Sequence, residues 1–177
     1  MKKALISFGL LVTFFIFYFI QTNFFSWFKI AGIQPNLFVI FVLFIGLFVG
    51  RTPGVVFGVI CGTFLDLFVG KIIGPTAILL AIVGYLGGYF DKSFSKESKI
   101  TIILMVIGVT VIYELGKYII NIFTFQLDAE FVPFFRIILI ELFYQFLLTI
   151  ILYPLMKKVG YYIENIFKGN NILTRYF

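Results

Sequence analysis

The sequence predicts an all-α integral membrane protein: a single-domain bundle of six transmembrane helices. Three observations lead there. The 177 residues are 62% hydrophobic and only 12% charged, with a mean hydropathy of +1.11, far from the balance of ordinary globular chains. The long apolar runs lack the alternation of barrel strands, and lipid offers the backbone no hydrogen-bond partner, so such runs must be helical. Charge, proline or glycine interrupts them at intervals of about 20 residues, the length that crosses a bilayer.

The first span, Ala4–Ile20, follows Lys2 and Lys3 and has the charged head and apolar body of a secretion signal. FIQTNFFSWFK supplies no small-residue cleavage site, so the segment is expected to remain as an anchor, with Tyr18 and Trp27 in the interfacial belt. The second span, Asn36–Val49, is the shortest. The turn Arg51-Thr52-Pro53 leads into the third, Pro53–Val69, and the fourth covers Ile73–Phe90. The basic loop DKSFSKESK precedes the fifth, Ile100–Ile122, and the sixth, Pro133–Leu155, leaves 156–177 as a short tail. No hydrophilic stretch is long enough to build a separate soluble core.

Orientation follows from the basic residues. With a cytoplasmic N-terminus, Lys2, Lys3, Arg51, Lys92, Lys96, Lys99, Lys157, Lys158, Lys168 and Arg175 fall inside, and the outer loops hold only Lys29 and Lys71. That asymmetry places both termini in the cytoplasm. Lys117 and Arg136 lie within spans, and Asp128 and Glu130 fall on an outer loop. The net charge of +6 is then explained by basic loops beside anionic lipid and requires no nucleic acid.

Several chemistries lack their residues. There is no histidine, and Cys61 is the only cysteine, so no intrachain disulfide forms and neither zinc nor haem finds an evident ligand set. The glycines form no phosphate-binding loop ending in Gly-Lys-Ser/Thr. No catalytic residue, cofactor or metal site is expected.

What the sequence does carry is a row of small residues. Between Gly46 and Gly70 it reads GLFVGRTPGVVFGVICGTFLDLFVG, with Gly46, Gly50, Gly54, Gly58 and Gly62 four apart and Asp66 one step further. A four-residue step advances 400°, so these positions trace a slowly turning groove where another helix can approach closely. In lipid that close van der Waals contact drives association, which makes the five glycines helix-packing positions and the second and third spans a hairpin. Asp66 should face the same protein neighbour, either neutral or opposite a cation. The fifth span offers one in YELGKYIIN, where Glu114, Lys117 and Asn121 share a face and Glu114 and Lys117 are placed to pair. The last span adds Glu141, Gln145 and Thr149, again four apart. Asp66, Glu114, Lys117 and Glu141 all fall within about 12 Å of the expected outer ends of their spans. Two readings stay open: a self-satisfied set that locks the bundle, or an outward polar hollow that faces a partner or ligand.

The segment QPNLFVIFVLFIGLFVGRTPGVVFGVICGTFLDLFVGKIIGPTAILLAIVGYLGG carries a further signal. Pro35-Asn36-Leu37 opens the second span, the Gly54, Gly58, Gly62, Asp66 series follows, and Gly74 opens the span that ends Gly84-Tyr85-Leu86-Gly87. In order, spacing and chain length this resembles the MreD family of rod shape-determining proteins, most densely over residues 34 to 90. The resemblance implies a non-catalytic scaffold in the bacterial cytoplasmic membrane. Such a subunit would bind the single-span protein MreC directly and work with the actin-like filament MreB, the RodA glycosyltransferase and its transpeptidase, linking filaments to peptidoglycan synthesis and cell shape. It also implies a fold similar to the six-helix substrate-binding subunits of energy-coupling-factor vitamin transporters. From that fold comes an alternative function, vitamin capture for a separate transport engine, although no long polar outer loop is present to cap a ligand.

Overall fold

The shortest of the six main helices lies at the centre of the molecule. The computed structural model describes residues 2–70, 72–93, 98–126 and 130–168. Lys71, Lys96, Asp128 and Arg175, which entered the sequence reading, lie outside them. Helix α1 (Lys2–Phe19) continues through a π-helical turn (Ile20–Phe24) into the one-turn α2 (Phe25–Trp27). Then come α3 (Leu37–Val49), α4 (Arg51–Phe68), α5 (Pro75–Ser93), α6 (Lys99–Phe125) and α7 (Phe131–Lys168). Apart from an isolated bridge between Ile30 and Ile33, the regular structure of the described residues is helical.

The local chemistry explains where these helices begin and end. Asn36 caps α3, its Oδ1 accepting from the Phe38 N–H at 3.2 Å, and Ser98 caps α6 through the Thr101 N–H. Gly50, at φ +123°, makes the corner between α3 and α4 in a conformation that side chains rarely adopt. Proline at the first position opens α5. Left-handed Gln126 follows the end of α6.

All thirteen residues of α3 are buried. A helix apolar on every side has no solvent face to offer, and here α4, α5, α6, α7 and α1 surround it. At about 20 Å it is shorter than the hydrocarbon layer. Among the described residues, four helices are long and apolar enough to cross a membrane: residues 8–27, α4, α6, and α7 as far as Ile166. The apolar stretches Leu37–Val49 and Pro75–Asp91 are shorter. The six expected elements are thus present in order, but two of them fall short of a full span. Their packing inside the bundle explains how such short helices are accommodated.

The last helix departs further from expectation. It runs on from Leu155 to Lys168 with Pro154 inside it, so residues 156–168 are helix rather than loose tail. One proline removes a single backbone donor, and apolar contact compensates. Gly160 lies against Phe48, Tyr161 packs edge-on to the Phe48 ring and Ile163 is buried.

Candidate functional site

The glycine row of α4 lies against the backbone of α5. A Cβ on Gly54 would stand 2.7 Å from the Gly84 carbonyl oxygen. On Gly58 it would collide with the Leu80 carbonyl, and on Gly62 it would strike Ala77 Cα while standing 2.7 Å from the Thr76 carbonyl. As positions on α4 rise by four, their partners on α5 fall by about four, the mark of an antiparallel backbone-to-backbone seam. Helix α5 answers with glycines of its own. Gly87 sits against Leu43 and Gly46 of α3, and Gly88 against Arg51. A Cβ on Gly46 would lie 2.9 Å from both Gly87 Cα and Gly88 N.

The expected hairpin of α3 and α4 is therefore one side of a three-helix unit in which α5 makes the closest approach. Gly50 needs a separate explanation: nothing lies within 4 Å of a Cβ placed there, so its glycine serves the corner and not the groove. Period four identifies a face but not its partner, so the row on α4 does not by itself point to Gly84, Gly87 and Gly88.

Asp66 closes the seam. Its Oδ2 accepts from the backbone N–H groups of Gly74 at 2.8 Å, Thr76 at 3.1 Å and Ala77 at 3.2 Å, and Oδ1 accepts from Thr76 at 3.2 Å. These donors sit at the start of α5, where Gly74 has no side chain to cap the helix. Asp66 therefore caps it from α4, with its charge against the positive end of the helix dipole. The sequence reading allowed a neutral carboxyl or a cation opposite it; its hydrogen-bond partners are instead backbone amides.

A second polar group lies between the start of α3 and the facing sides of α6 and α7. Lys117 Nζ stands 3.5 Å from Glu114 Oε1, the lysine side chain half exposed and the glutamate 5% exposed. The Glu141 carboxyl, 4% exposed, lies within interaction range of both Glu114 and Lys117. Tyr113 reaches the Asn36 side chain. Gln145 donates to the Asn36 carbonyl at 2.7 Å, and the Leu37 N–H donates to Gln21 Oε1 at 2.8 Å. These contacts supply donors and acceptors around the first turn of α3. Thr149 Oγ1 donates to the Gln145 carbonyl within α7. Gln21 and Tyr113 carried no period that marked them. Asn36, as the residue opening an apolar helix, was the readable signal for this layer.

The group is incomplete on its own. Two carboxyls share one ammonium. Glu114 Oε1, whose nearest cation is the Lys117 ammonium at 3.5 Å, and Gln145 Oε1 are buried and accept no hydrogen bond of ordinary geometry among the described residues. At Lys117 opens a cleft of about 450 Å³ between the α4–α5 connection and α6, its polar lining made by Asp66, Thr76, Lys117, Asn121 and Thr124. All five expected polar residues thus gather at one end of the bundle: Asp66, Lys117 and Asn121 on the cleft, Glu114 and Glu141 behind it. Among the described residues no three His, Cys, Asp or Glu side chains come together as a metal site would require.

Comparison with curated proteins and with solved structures yields no match. A family model described as rod shape-determining protein MreD matches residues 2–162. Proteins of that family act in rod shape determination in bacterial membranes and are not a known enzyme family, and the four long apolar helices fit a membrane-spanning protein. With nearly the whole chain inside the match, the protein belongs to the MreD family.

Proposed function

We propose that this chain is a non-catalytic scaffold subunit of the bacterial cell-elongation complex. In this reading it holds MreC at the cleft end of the bundle and helps couple MreB filaments to peptidoglycan synthesis by RodA and its transpeptidase. In this reading the cleft faces outward and both termini lie in the cytoplasm, an orientation that the asymmetry of the basic residues supports. One observation carries this reading: a charged group that stops short of completion at the edge of a cleft. Lys117 is half exposed at the opening, with Glu114 buried behind it, and the Oε1 atoms of Glu114 and Gln145 accept no hydrogen bond of ordinary geometry among the described residues. A set that served only to lock the bundle would close on itself, as Asp66 does with the start of α5. A partner segment bringing hydrogen-bond donors or positive charge would complete it.

The same cleft, at about 450 Å³, falls within the size range of small-molecule sites, which keeps the vitamin-capture alternative in view. Purification of the tagged protein in mild detergent, followed by mass spectrometry, separates the two. MreC and RodA in the eluate support the scaffold. An ATPase-containing transport engine in their place overturns it.

A further inference from the structure

At the opposite end of the bundle, a hollow of about 530 Å³ lies between the start of α6 and the part of α7 around Pro154. Three lysines line it: Lys99, the first residue of α6, and Lys157 and Lys158 on α7. Lys157 Nζ lies 5.7 Å from the Tyr153 ring centroid and 5.9 Å from that of Tyr161, so aromatic rings one turn before and one turn after it flank the ammonium. Among the described residues no acidic side chain lines the hollow. Lys99 is also set against the positive end of the α6 dipole, where a cation is unfavourable. Three ammonium groups and a helix start therefore converge without a counter-charge among the described lining residues, an arrangement that an anion would relieve.

The rest of the lining identifies the kind of anion. Ile103 and Ile150 belong to the same hollow, and Ile100, Leu104, Ile151 and Leu155 nearby are exposed apolar side chains on membrane helices. A basic mouth that continues into an apolar surface fits an amphiphile better than a free ion. About 24 Å of α7 separates Glu141 from Lys157, which puts this mouth near the far surface of a membrane whose other side the cleft faces.

We infer that Lys99, Lys157 and Lys158 form a binding site for the phosphate of an anionic phospholipid, whose acyl chains lie along the groove between α6 and α7. The test is native mass spectrometry of the purified full chain with phosphatidylglycerol, with phosphatidylcholine and with inorganic phosphate. We expect phosphatidylglycerol to be retained in preference to phosphatidylcholine, and inorganic phosphate in molar excess to leave it bound. The triple variant K99Q/K157Q/K158Q should lose at least about tenfold in retention, whereas K29Q/R136Q, which removes charge at exposed positions elsewhere, should not. Equal retention by the triple variant, equal retention of phosphatidylcholine, or displacement by inorganic phosphate would each overturn the inference. If the triple variant is not recovered folded, the single variant K158Q, at an exposed position, must still reduce retention severalfold for the inference to stand.

Discussion

Asp66 and the Glu114–Glu141 pair are carboxylates at the same end of one membrane bundle, yet they are solved differently. Both oxygens of Asp66 are engaged by backbone amides of α5, and the helix dipole answers its charge. Glu114 and Glu141 share one half-exposed lysine, and Glu114 keeps an oxygen that accepts no hydrogen bond of ordinary geometry among the described residues. A buried polar group that is fully partnered serves the fold. One that is only partly partnered at the edge of a cleft is a candidate for contact with something else. The residue type is the same, so the surroundings make the difference.

That contrast can be broken most forcefully along the seam that Asp66 closes. Gly58→Leu would drive a side chain into the Leu80 backbone, which cannot yield as a flexible side chain would. We expect a loss of at least about 3 kcal/mol and almost no monodisperse protein by fluorescence-detected size exclusion. Recovery at the normal level would mean that α4 and α5 are not in backbone contact. Asp66→Ala is the next step down. Removing the cap strands amides at the start of α5, and a drop of about 1–3 kcal/mol is expected, read as a lower melting temperature in detergent.

Glu141→Gln keeps the shape while replacing one carboxyl of a group already short of positive partners. Its stability should change by less than about 1 kcal/mol, and a large loss would show that the pair locks the bundle as Asp66 does. The smallest effect belongs to Gly108→Ala. Position 108 is helical with open space where a Cβ would stand, so the variant should be neutral or more stable by up to about 1 kcal/mol. A strong loss there would show that glycine matters in α6 for a reason other than the close packing that governs α4.

Much of this was legible in the sequence, and the illegible parts have physical causes. Hydropathy and interruptions gave the six helices, and the four-residue glycine period gave the packing face of α4, because both depend on properties local to one helix. The partner of that face was not legible: Gly84 and Gly88 are also four apart on α5, but such a row does not say which helix it meets, and contact between two backbones leaves no paired side chains to recognise. Asp66 was visible as an anomaly, but its partners are amide groups, which any sequence supplies. Gly50 shared the period of its neighbours and hid a different need, the positive φ of the corner. The continuation of α7 past Pro154 depends on Phe48 lying opposite Gly160 and Tyr161, a relation between residues more than a hundred positions apart.

The division between a structural aspartate and a partner-facing cluster is tested most directly by measuring MreC recovered per folded molecule for Asp66→Asn and Lys117→Met, at matched expression and with folded protein quantified in the same eluate. Asp66→Asn should lower the folded yield and leave the ratio near that of the unaltered protein. Lys117→Met should reduce the ratio per folded molecule at least about fivefold, equivalent to roughly 1 kcal/mol of binding. The opposite pattern, with the ratio falling for Asp66→Asn and unchanged for Lys117→Met, would contradict the assignment of Asp66 to the fold and of the Glu114–Lys117–Glu141 group to the partner.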